Sequence, residues 1–325
     1  MRIDSNNIKR YTIDFISGEN TIYGMIHSPE TDKFNSTGIL LLSAGLKNRT
    51  GYAKIYVKLA DYLASKGYHV MRFDYHGCGD SDGKLSLTGA YQELHADING
   101  FIQTGLFAQD ALKAMDVLKR EAGCRKFVLS GLCGGSNTAV YTAVQSEEVE
   151  SVILLNLPVA LDSELAREKQ KGSMDIFKVQ FLYEAYMKKI FSPKAWIRFL
   201  GLKSDYKSIL QMFKTKLKQA PKTESNDNDS TAMVDNFSFN KDLLGTLDKY
   251  FSSGRKAYLF FSENDQLRAE YEKYFEALYG KELLGKYSGQ YVKTVIQNSN
   301  HSFTHPEWRE ELFTSFLKCL DDNSS

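Results

Sequence analysis

The chain lacks the features that mark membrane proteins, nucleic-acid-binding proteins and disulfide-rich proteins. Its 325 residues carry a net charge of +1, so its overall charge favours neither a nucleic acid nor a charged membrane surface. No apolar run reaches the roughly 20 residues that a membrane-spanning helix needs, and Met1–Arg10 has no apolar core typical of a signal peptide. The four cysteines, at positions 78, 124, 133 and 319, form neither a CxxC pair nor a Cys/His metal spacing. We therefore expect a reduced, cytoplasmic protein without a metal or other cofactor.

One short segment carries most of the functional information in the sequence. Between an apolar run, Lys126–Ser130, and a small-residue stretch, Ser136–Ala143, the sequence reads Gly131-x-Cys133-x-Gly135. This pattern is typical of a nucleophile elbow, a sharp strand-to-helix turn in which glycines leave room beside a strained nucleophile. Cysteine stands here where serine is usual, and the N-terminus of the following helix favours its thiolate. The alternative is a buried cysteine in a glycine-rich turn, but the flanking strand and helix favour the catalytic interpretation.

Strand and helix signals alternate along most of the chain. Strands are expected at 10–16, 21–26, 38–43, 68–74, 126–130, 151–156, 256–262 and 291–296. Helices are expected at 54–66, 106–122, 266–278 and 306–320. This order predicts an α/β protein with a doubly wound, mainly parallel sheet.

The alternation stops for about a hundred residues after residue 156. We interpret 161–250 as a helical cap inserted into a core made of 1–160 and 251–325, with a mobile polar loop near 221–239. Residues 161–220 contain 13 basic and 6 acidic residues. A solvated helical face explains this excess, and the alternative is a landing site for an acyl carrier protein or coenzyme A. Most cap aromatics are expected to pack onto the sheet, and some to line the substrate-binding site; the candidates are Tyr183, Tyr186 and Trp196.

An elbow nucleophile needs a histidine base, which follows it in the chain. Of the six histidines, only His301 and His305 follow Cys133. His301 comes five residues after the last expected strand, where a loop can hold an imidazole over the sheet. His305 begins the last helix, a position typical of a surface residue. We therefore predict that His301 is the base.

The orienting acid is expected in the loop after strand 256–262, which offers Glu263 and Asp265. Helix capping is the ordinary role of a carboxylate there. The short side chain of Asp265, three residues past the strand end, can face the imidazole, whereas Glu263 is expected to point away. Some hydrolases place the acid at the end of the preceding strand, but residues 156–158 carry none. Asp265 is therefore the predicted acid.

An oxyanion hole needs two backbone N–H donors. In an elbow enzyme, one donor is the residue after the nucleophile, here Gly134. The other belongs to the loop after the first buried strand, which reads Ser43-Ala-Gly-Leu46. Leu46 is the predicted second donor, and a backbone donor tolerates Ala44 where a histidine often stands.

These motifs carry a resemblance to known proteins. Phe73–Gly83 resembles the loop after the fourth strand of the α/β-hydrolase superfamily, with His76 in place of an arginine. The closer similarity, to the exosortase-associated hydrolases, lies in 38–83, the Gly-Leu-Cys-x-Gly elbow, 192–196, 201–205 and 300–303. Those proteins are α/β hydrolases with a cysteine elbow. The resemblance implies the α/β-hydrolase fold and a triad of Cys133, Asp265 and His301, but it implies no substrate.

Cysteine changes the chemistry of the acyl-enzyme. A thiolate that attacks an ordinary ester forms a higher-energy thioester, whereas its reaction with a thioester is nearly an even exchange. We therefore expect an acyl hydrolase of the thioesterase or esterase type, acting through an acyl-Cys133 intermediate. One alternative is an acyltransferase that passes the acyl group from a thioester to an amine or a hydroxyl. Another is a catalytically silent hydrolase fold that binds a ligand or partner, although the intact order of nucleophile, acid and base argues against it.

Overall fold

A computed structural model describes residues 8–30, 34–85, 99–161 and 239–323. The chain divides into two units, one made of Met1–Glu164 with Ser238–Ser325 and the other of Leu165–Phe237. All described residues belong to the first unit. The candidate substrate-binding residues Tyr183, Tyr186 and Trp196 lie outside the described residues, as do most of the predicted cap and nearly all of the loop near 221–239.

In the described residues, eight strands form one sheet, in which the first, second, fourth and third strands of the chain are followed in order by the fifth to the eighth. The second strand pairs antiparallel with the first and with the fourth, and all pairs among the third to the eighth strands are parallel. The strands are β1 (Ile8–Ser17), β2 (Asn20–Pro29), β3 (Thr37–Leu42), β4 (His69–Phe73), β5 (Lys126–Leu132), β6 (Val149–Leu155), β7 (Lys256–Ser262) and β8 (Tyr291–Ile296). The mainly parallel sheet predicted from the sequence is confirmed.

Helices cover both faces of this sheet. The described helices are α1 (Ile55–Ala64), α2 (Ala108–Ala122), α3 (Gly134–Ala143), α4 (Lys241–Ser252), α5 (Gln266–Glu270), α6 (Lys281–Lys286) and α7 (Pro306–Asn323). On one face, α1 and α7 pack together over alternate residues of the strands, such as Ile39, Leu41 and Val128. On the other face, α2, α3 and α4 lie side by side. The central strands β3, β5, β6 and β7 are mostly apolar on both faces because both of their faces are buried.

Two helical segments differ from the sequence prediction. The expected helix 266–278 is α5 followed by a π-helix, Tyr271–Tyr279. Within that π-helix, Tyr271 stacks on Phe275 with 5.0 Å between ring centroids, and it also packs on Phe261 of β7. We attribute the wider turn of the π-helix to this packing of rings. Because Phe261 belongs to a strand, the helical periodicity of the sequence does not reveal the contact.

The second difference concerns the end of the insertion, which was expected at residue 250. Helix α4 lies within that expected range, yet it packs against α3 of the core. Asn240 caps it by accepting a hydrogen bond from the Leu243 N–H at 3.0 Å, and its amide donates to the Gln103 carbonyl at 2.9 Å. Leu243 and Leu247 are buried on the core side. The core therefore resumes near residue 239, because the apolar face of α4 is buried where this helix packs against α3.

The parallel strands bring the predicted catalytic residues to one edge of the sheet. Cys133 directly follows β5, Asp265 follows β7, and His301 follows β8. The carboxyl ends of parallel strands meet at the same edge, where ligands bind in open α/β sheets. In the part of the chain that the structure describes, no helix is long and apolar enough to span a bilayer.

Candidate active site

Cys133 occupies the turn between β5 and α3 in a strained conformation. Its φ is 54° and its ψ is −126°, a backbone conformation that residues other than glycine rarely adopt. The Cys133 N–H donates to the carbonyl of Leu155 at 2.8 Å, which ties the turn to β6. The side chain is half-buried. This turn presents the sulfur at the carboxyl edge of the sheet, and the hydrogen bond to Leu155 holds its backbone in place.

The glycines that flank Cys133 at two residues on each side are required by close backbone contacts. A Cβ atom on Gly131 would lie 2.3 Å from the carbonyl carbon of Gly135. A Cβ atom on Gly135 would lie 2.4 Å from the carbonyl oxygen of Leu42 in β3. Both distances are far below van der Waals contact, so no other residue fits without a backbone shift. The elbow geometry predicted from the Gly-x-Cys-x-Gly pattern is thus present.

His301 and Asp265 are hydrogen-bonded to each other. The His301 Nδ1–H donates to Asp265 Oδ2 at 2.7 Å, and the Asp265 side chain is only 6% exposed. The other carboxylate oxygen, Oδ1, accepts the Leu267 N–H at 3.1 Å and caps α5. Capping and orienting the imidazole are therefore not alternatives, because one carboxylate does both. The contact at Nδ1 fixes the ring so that Nε2 faces away from Asp265.

Cys133 is the second group, after Asp265, that stabilises the protonated form of His301. Burial lowers the pKa of His301, but the hydrogen bonds and charges of Asp265 and Cys133 outweigh it and raise the pKa to about 10. The imidazole therefore holds its proton at neutral pH. The carboxylate of Asp265, the imidazolium of His301 and the sulfur of Cys133 therefore belong to one site at the carboxyl edge of the sheet.

The two rival residues are placed elsewhere. His305 is half exposed, its Nδ1 lies 3.8 Å from Glu307, and its ring lies against Trp308. The carboxylate of Glu263 accepts the N–H of Asn298 at 2.7 Å and so braces the turn after β8. His301 and Asp265 are the pair that the structure brings together, as the chain order predicts.

The two predicted oxyanion donors belong to segments that touch each other. Gly134 is the first residue of α3, so its N–H has no acceptor within the helix. A Cβ atom on Gly134 would lie 3.3 Å from both N and Cα of Gly45. Gly45 has a φ of 59° and immediately precedes Leu46. The loop that carries Leu46 therefore lies against the N-terminus of α3, beside the nucleophile.

Arg49 holds this loop to the end of β4. Its backbone N–H donates to Asp74 Oδ1 at 2.5 Å, and its guanidinium pairs with Asp74 and Asp80. Arg72 donates to the Arg49 carbonyl at 3.3 Å. Asp74 is fully buried, so its charge is matched by these donors and by the Asp80 N–H. The motif Phe73–Gly83 thus supports the loop that carries the second oxyanion donor.

A second histidine–aspartate pair lies in the same motif. His76 Nδ1 donates to Asp110 at 2.8 Å, and this hydrogen bond raises the pKa of His76. The same carboxylate accepts the His76 N–H and the hydroxyl of Ser17. Asp110 is thus fully used in joining β1, α2 and the loop after β4. The neighbouring Cys78 is buried, and burial raises its pKa to about 12, so it is a poor rival to Cys133.

Two residues that support the site were missed by the sequence prediction. The Tyr56 hydroxyl donates to the Leu42 carbonyl at 2.7 Å and accepts the Leu132 N–H at 2.9 Å, directly below the elbow. Asn156, at the end of β6, donates to the carbonyl of His301 at 2.9 Å. A polar residue at the carboxyl end of a buried parallel strand was a usable signal for Asn156. Tyr56 lies at a helical core position, and nothing in the sequence distinguishes it from its neighbours.

No group of three or more His, Cys, Asp or Glu side chains within the described ranges could hold a metal ion. The four cysteines are free thiols. The cap lysines Lys188 and Lys189 lie outside the described residues, like the cap aromatics.

Comparisons with known proteins agree with this architecture. Residues 36–182 match the family model for serine aminopeptidase, S33, a segment that includes Cys133 and ends before Asp265. No curated protein matches the chain in sequence. Among solved structures, a proline iminopeptidase from Mycobacterium smegmatis is 16% identical, with 96% of this chain and 98% of that one covered and a TM-score of 0.56. An esterase of Pyrococcus furiosus is 14% identical, with 97% and 91% covered and a TM-score of 0.55.

A third similar structure is Est1E from Butyrivibrio proteoclasticus with ferulic acid bound. It is 13% identical, with 96% of this chain and 98% of that one covered and a TM-score of 0.53. At such identities, the likeness concerns the fold alone. The sheet order, the elbow and these matches show that the chain has the α/β-hydrolase fold.

Proposed function

We propose that the protein is an acyl hydrolase of the thioesterase or esterase type that acts through a covalent acyl-Cys133 intermediate. The observation that carries the proposal is the hydrogen bond between Asp265 and His301, at the same sheet edge as Cys133 in its strained elbow. An activated nucleophile, a base and an orienting acid in this relation are the parts that acyl transfer needs. The esterases and the iminopeptidase of similar fold are compatible with this class of reaction.

The first half-reaction acylates the enzyme. The Cys133 thiolate attacks the acyl carbonyl carbon, and the oxyanion that forms accepts hydrogen bonds from the N–H groups of Gly134 and Leu46. The intermediate collapses as the bond to the leaving group breaks, and His301 Nε2 gives its proton to that group. The products are an acyl-Cys133 thioester, a neutral His301 and the released thiol or alcohol.

The second half-reaction releases the acyl group. Neutral His301 takes a proton from water as the water oxygen attacks the thioester carbon. Collapse of this second intermediate breaks the C–S bond, so that Cys133 leaves as thiolate and the product is a carboxylic acid. Asp265 stabilises the imidazolium that is present before and after each turnover. The proton that His301 holds at neutral pH is the one that the first leaving group needs.

The identity of the nucleophile favours activated acyl donors. An enzyme thioester is higher in energy than an ordinary ester or amide, so its formation from those substrates is uphill, while its formation from another thioester is nearly even. Sulfur at the elbow therefore supports thioesters as the preferred substrates over peptides. The cysteine elbow is also what supports a place among hydrolases like the exosortase-associated group.

We further propose that the acyl group arrives on an acidic or phosphorylated carrier, either an acyl carrier protein or coenzyme A. The support is in the sequence, because residues 161–220 contain 13 basic and 6 acidic residues. Concentrated positive charge attracts a negatively charged carrier and speeds its encounter with the enzyme.

Mass spectrometry of the intact protein tests the covalent intermediate. The protein is mixed with a panel of acyl-coenzyme A thioesters and p-nitrophenyl acyl esters, and the reaction is quenched with acid within the first turnover. We expect a mass increase equal to the acyl group, which Cys133→Ala abolishes. Cys319→Ala is the matched control, because that thiol lies on the buried face of α7 and its loss should leave the adduct unchanged. An adduct that survives in Cys133→Ala, or turnover without any adduct on Cys133, contradicts the proposal.

The same assay separates hydrolysis from transfer. Adding hydroxylamine during turnover offers the acyl-enzyme an amine that competes with water. A protein that releases free acid at the same rate with and without acceptor alcohols or amines is a hydrolase. A protein that forms little free acid, and that turns over to an amide or an ester once an amine or hydroxyl acceptor is added, is an acyltransferase instead.

A further inference from the structure

A buried asparagine links the end of β6, the strand beside the elbow, to the loop that carries His301. Asn156 directly follows β6, is fully buried, and has a φ of 49°, which is unusual for a residue other than glycine. Its N–H donates to the carbonyl of Phe260 at 2.8 Å, which extends the contact between β6 and β7 by one residue. A strained, buried polar residue at the catalytic edge of the sheet needs a physical reason.

The side chain of Asn156 uses all of its donor hydrogens. Oδ1 accepts the Ser262 N–H at 2.7 Å, and Nδ2 donates to Ser262 Oγ at 3.0 Å and to the His301 carbonyl at 2.9 Å. Ser262 Oγ in turn donates to the carbonyl of Asn300 at 2.8 Å. Two consecutive carbonyls of the histidine loop are thereby tethered to the ends of β6 and β7.

The neighbouring residue performs the matching task for the nucleophile. The Leu155 carbonyl accepts the Cys133 N–H at 2.8 Å and also Ser136 Oγ at 3.0 Å. Residues 155 and 156 thus hold the backbone of Cys133 on one side and the backbone of His301 on the other. The end of β6 is a common frame for both reacting side chains.

We propose that Asn156 is a positioning residue that sets the separation between Cys133 and His301 through the His301 carbonyl and the Ser262 hydroxyl. This inference rests on the proposed function. An amide is required, because a carboxylate would place an oxygen against the His301 carbonyl oxygen at the 2.9 Å that a hydrogen bond now spans. The asparagine stands at the strand end where some hydrolases carry their acid, and here it orients the base by its backbone.

The test compares Asn156→Ala and Asn156→Asp with Asn240→Ala. Asn240 is equally buried and makes the same kinds of hydrogen bond, but it caps α4 away from the triad. We expect both Asn156 variants to lower kcat for acyl thioesters roughly tenfold to a hundredfold, with KM within about twofold, since small misplacements of reacting groups cost this much. Asn240→Ala should keep the wild-type kcat.

A second readout needs no substrate. The His301 ring is followed by NMR as pH is raised, and its titration midpoint should move down in Asn156→Ala but not in Asn240→Ala, because only the former releases the His301 carbonyl and lets the ring move from Cys133, which stabilises its protonated form. Ser262→Ala, a smaller change that deletes one hydroxyl, should give a shift in the same direction and serves if the Asn156 variants do not fold. Folded variants with wild-type kcat and an unmoved His301 titration overturn the inference. A wild-type protein without acyl turnover contradicts only the proposed function, since the titration still tests the positioning.

Discussion

At the scale of single residues, the site depends on polar atoms that serve two partners at once. Asp265 caps α5 with one oxygen and orients His301 with the other. Asn156 binds Ser262 and the His301 loop with one amide. Because these polar atoms each have hydrogen-bond partners, the charge of Asp265 can be buried, since a buried charge is costly unless it is paired and hydrogen-bonded. It also means that single substitutions near the triad should change the protonation of His301.

The first prediction concerns that protonation. Replacing Asp265 by Asn removes the charged acceptor at Nδ1, so the pKa of His301 should fall from about 10 towards the ordinary value of histidine. Cys133→Ala should also lower the pKa, because the second partner is lost. The measurement is an NMR titration of the imidazole carbons, with the exposed His305 as a reference signal in the same spectra. A His301 ring that titrates near pH 6.5 in the wild type, or is unmoved in Asp265→Asn, contradicts the prediction.

The second prediction concerns the four thiols. Burial raises the pKa of Cys78, Cys124 and Cys319 to about 12 each. Cys133 is half-buried and lies beside the protonated His301. Iodoacetamide at pH 7 should therefore alkylate Cys133 more than about tenfold faster than the others, since the thiolate is the reacting form. Peptide mass spectrometry measures the four rates. Even labelling, or selective protection of Cys133, would identify it as a structural cysteine.

At the scale of elements, the elbow depends on backbone contacts that no side chain can relieve. Gly131→Ala should destabilise the protein by more than about 3 kcal/mol or prevent folding, because its Cβ would meet the Gly135 backbone at 2.3 Å. Gly245→Ala is the matched control, since Gly245 lies exposed in α4 with nothing within 4 Å of the added Cβ.

Alanine at position 245 should stabilise the helix by roughly 0.5–1 kcal/mol. Urea denaturation followed by circular dichroism gives both free energies of unfolding. Equal effects of the two substitutions would show that the elbow can relax around a methyl group.

The parallel strands and the pairing of Asp265 with His301 could be predicted because their signals are local. Strands β7 and β8 have the predicted bounds, Lys256–Ser262 and Tyr291–Ile296, since apolar runs bounded by turns mark buried strands. The expected chain order of nucleophile, acid and histidine then identified Asp265 as the candidate acid and His301 as the candidate base. Tyr56 and Asn156 could not be assigned roles in this way, because their partners lie 76 and 106 residues away in the chain. The π-helix depends on ring packing against β7, which periodicity does not record.

At the scale of the whole molecule, two histidines should oppose each other in the pH dependence of stability. His27 is buried; its Nδ1–H donates to Asp61 at 2.8 Å, and Arg72 donates to its Nε2 at 2.9 Å. Burial and, to a lesser extent, Arg72 lower the pKa of His27 despite the opposing effect of Asp61. The unfolded chain therefore binds a proton at His27 more readily than the folded protein does, and the free energy of unfolding falls as pH drops below roughly 6.5.

His301 acts in the opposite direction. Its folded pKa of about 10 lies above the unfolded value, so its contribution is complete below roughly pH 6.5 and is lost as pH rises towards 10. Urea denaturation between pH 5 and 10 should show both limbs. His27→Gln should flatten the acid limb by up to about 1.4 kcal/mol per pH unit and leave the alkaline limb in place. An unchanged acid slope in His27→Gln would mean that other groups control stability there.

The last prediction concerns the distribution of charge over the chain. The net charge is only +1, yet residues 161–220 hold 13 basic and 6 acidic residues, which leaves 28 basic and 34 acidic residues elsewhere. An anionic carrier should therefore be attracted to this segment and repelled by the rest of the chain. Reversing two of its charges, in Lys188→Glu/Lys189→Glu, should raise KM for acyl-coenzyme A or acyl carrier protein thioesters and leave p-nitrophenyl esters unchanged. Lys113→Glu, on the exposed side of α2, is the control outside the segment.

The difference between substrates should shrink as salt is added, because the screening length falls from about 30 Å at 0.01 M to about 10 Å at 0.1 M ionic strength. Steady-state kinetics at the two salt concentrations measures it. Charge reversals that slow both substrates equally would mean that the segment shapes the site rather than receives a carrier. The carrier proposal would then fail, and an acyl hydrolase for small uncharged substrates would remain.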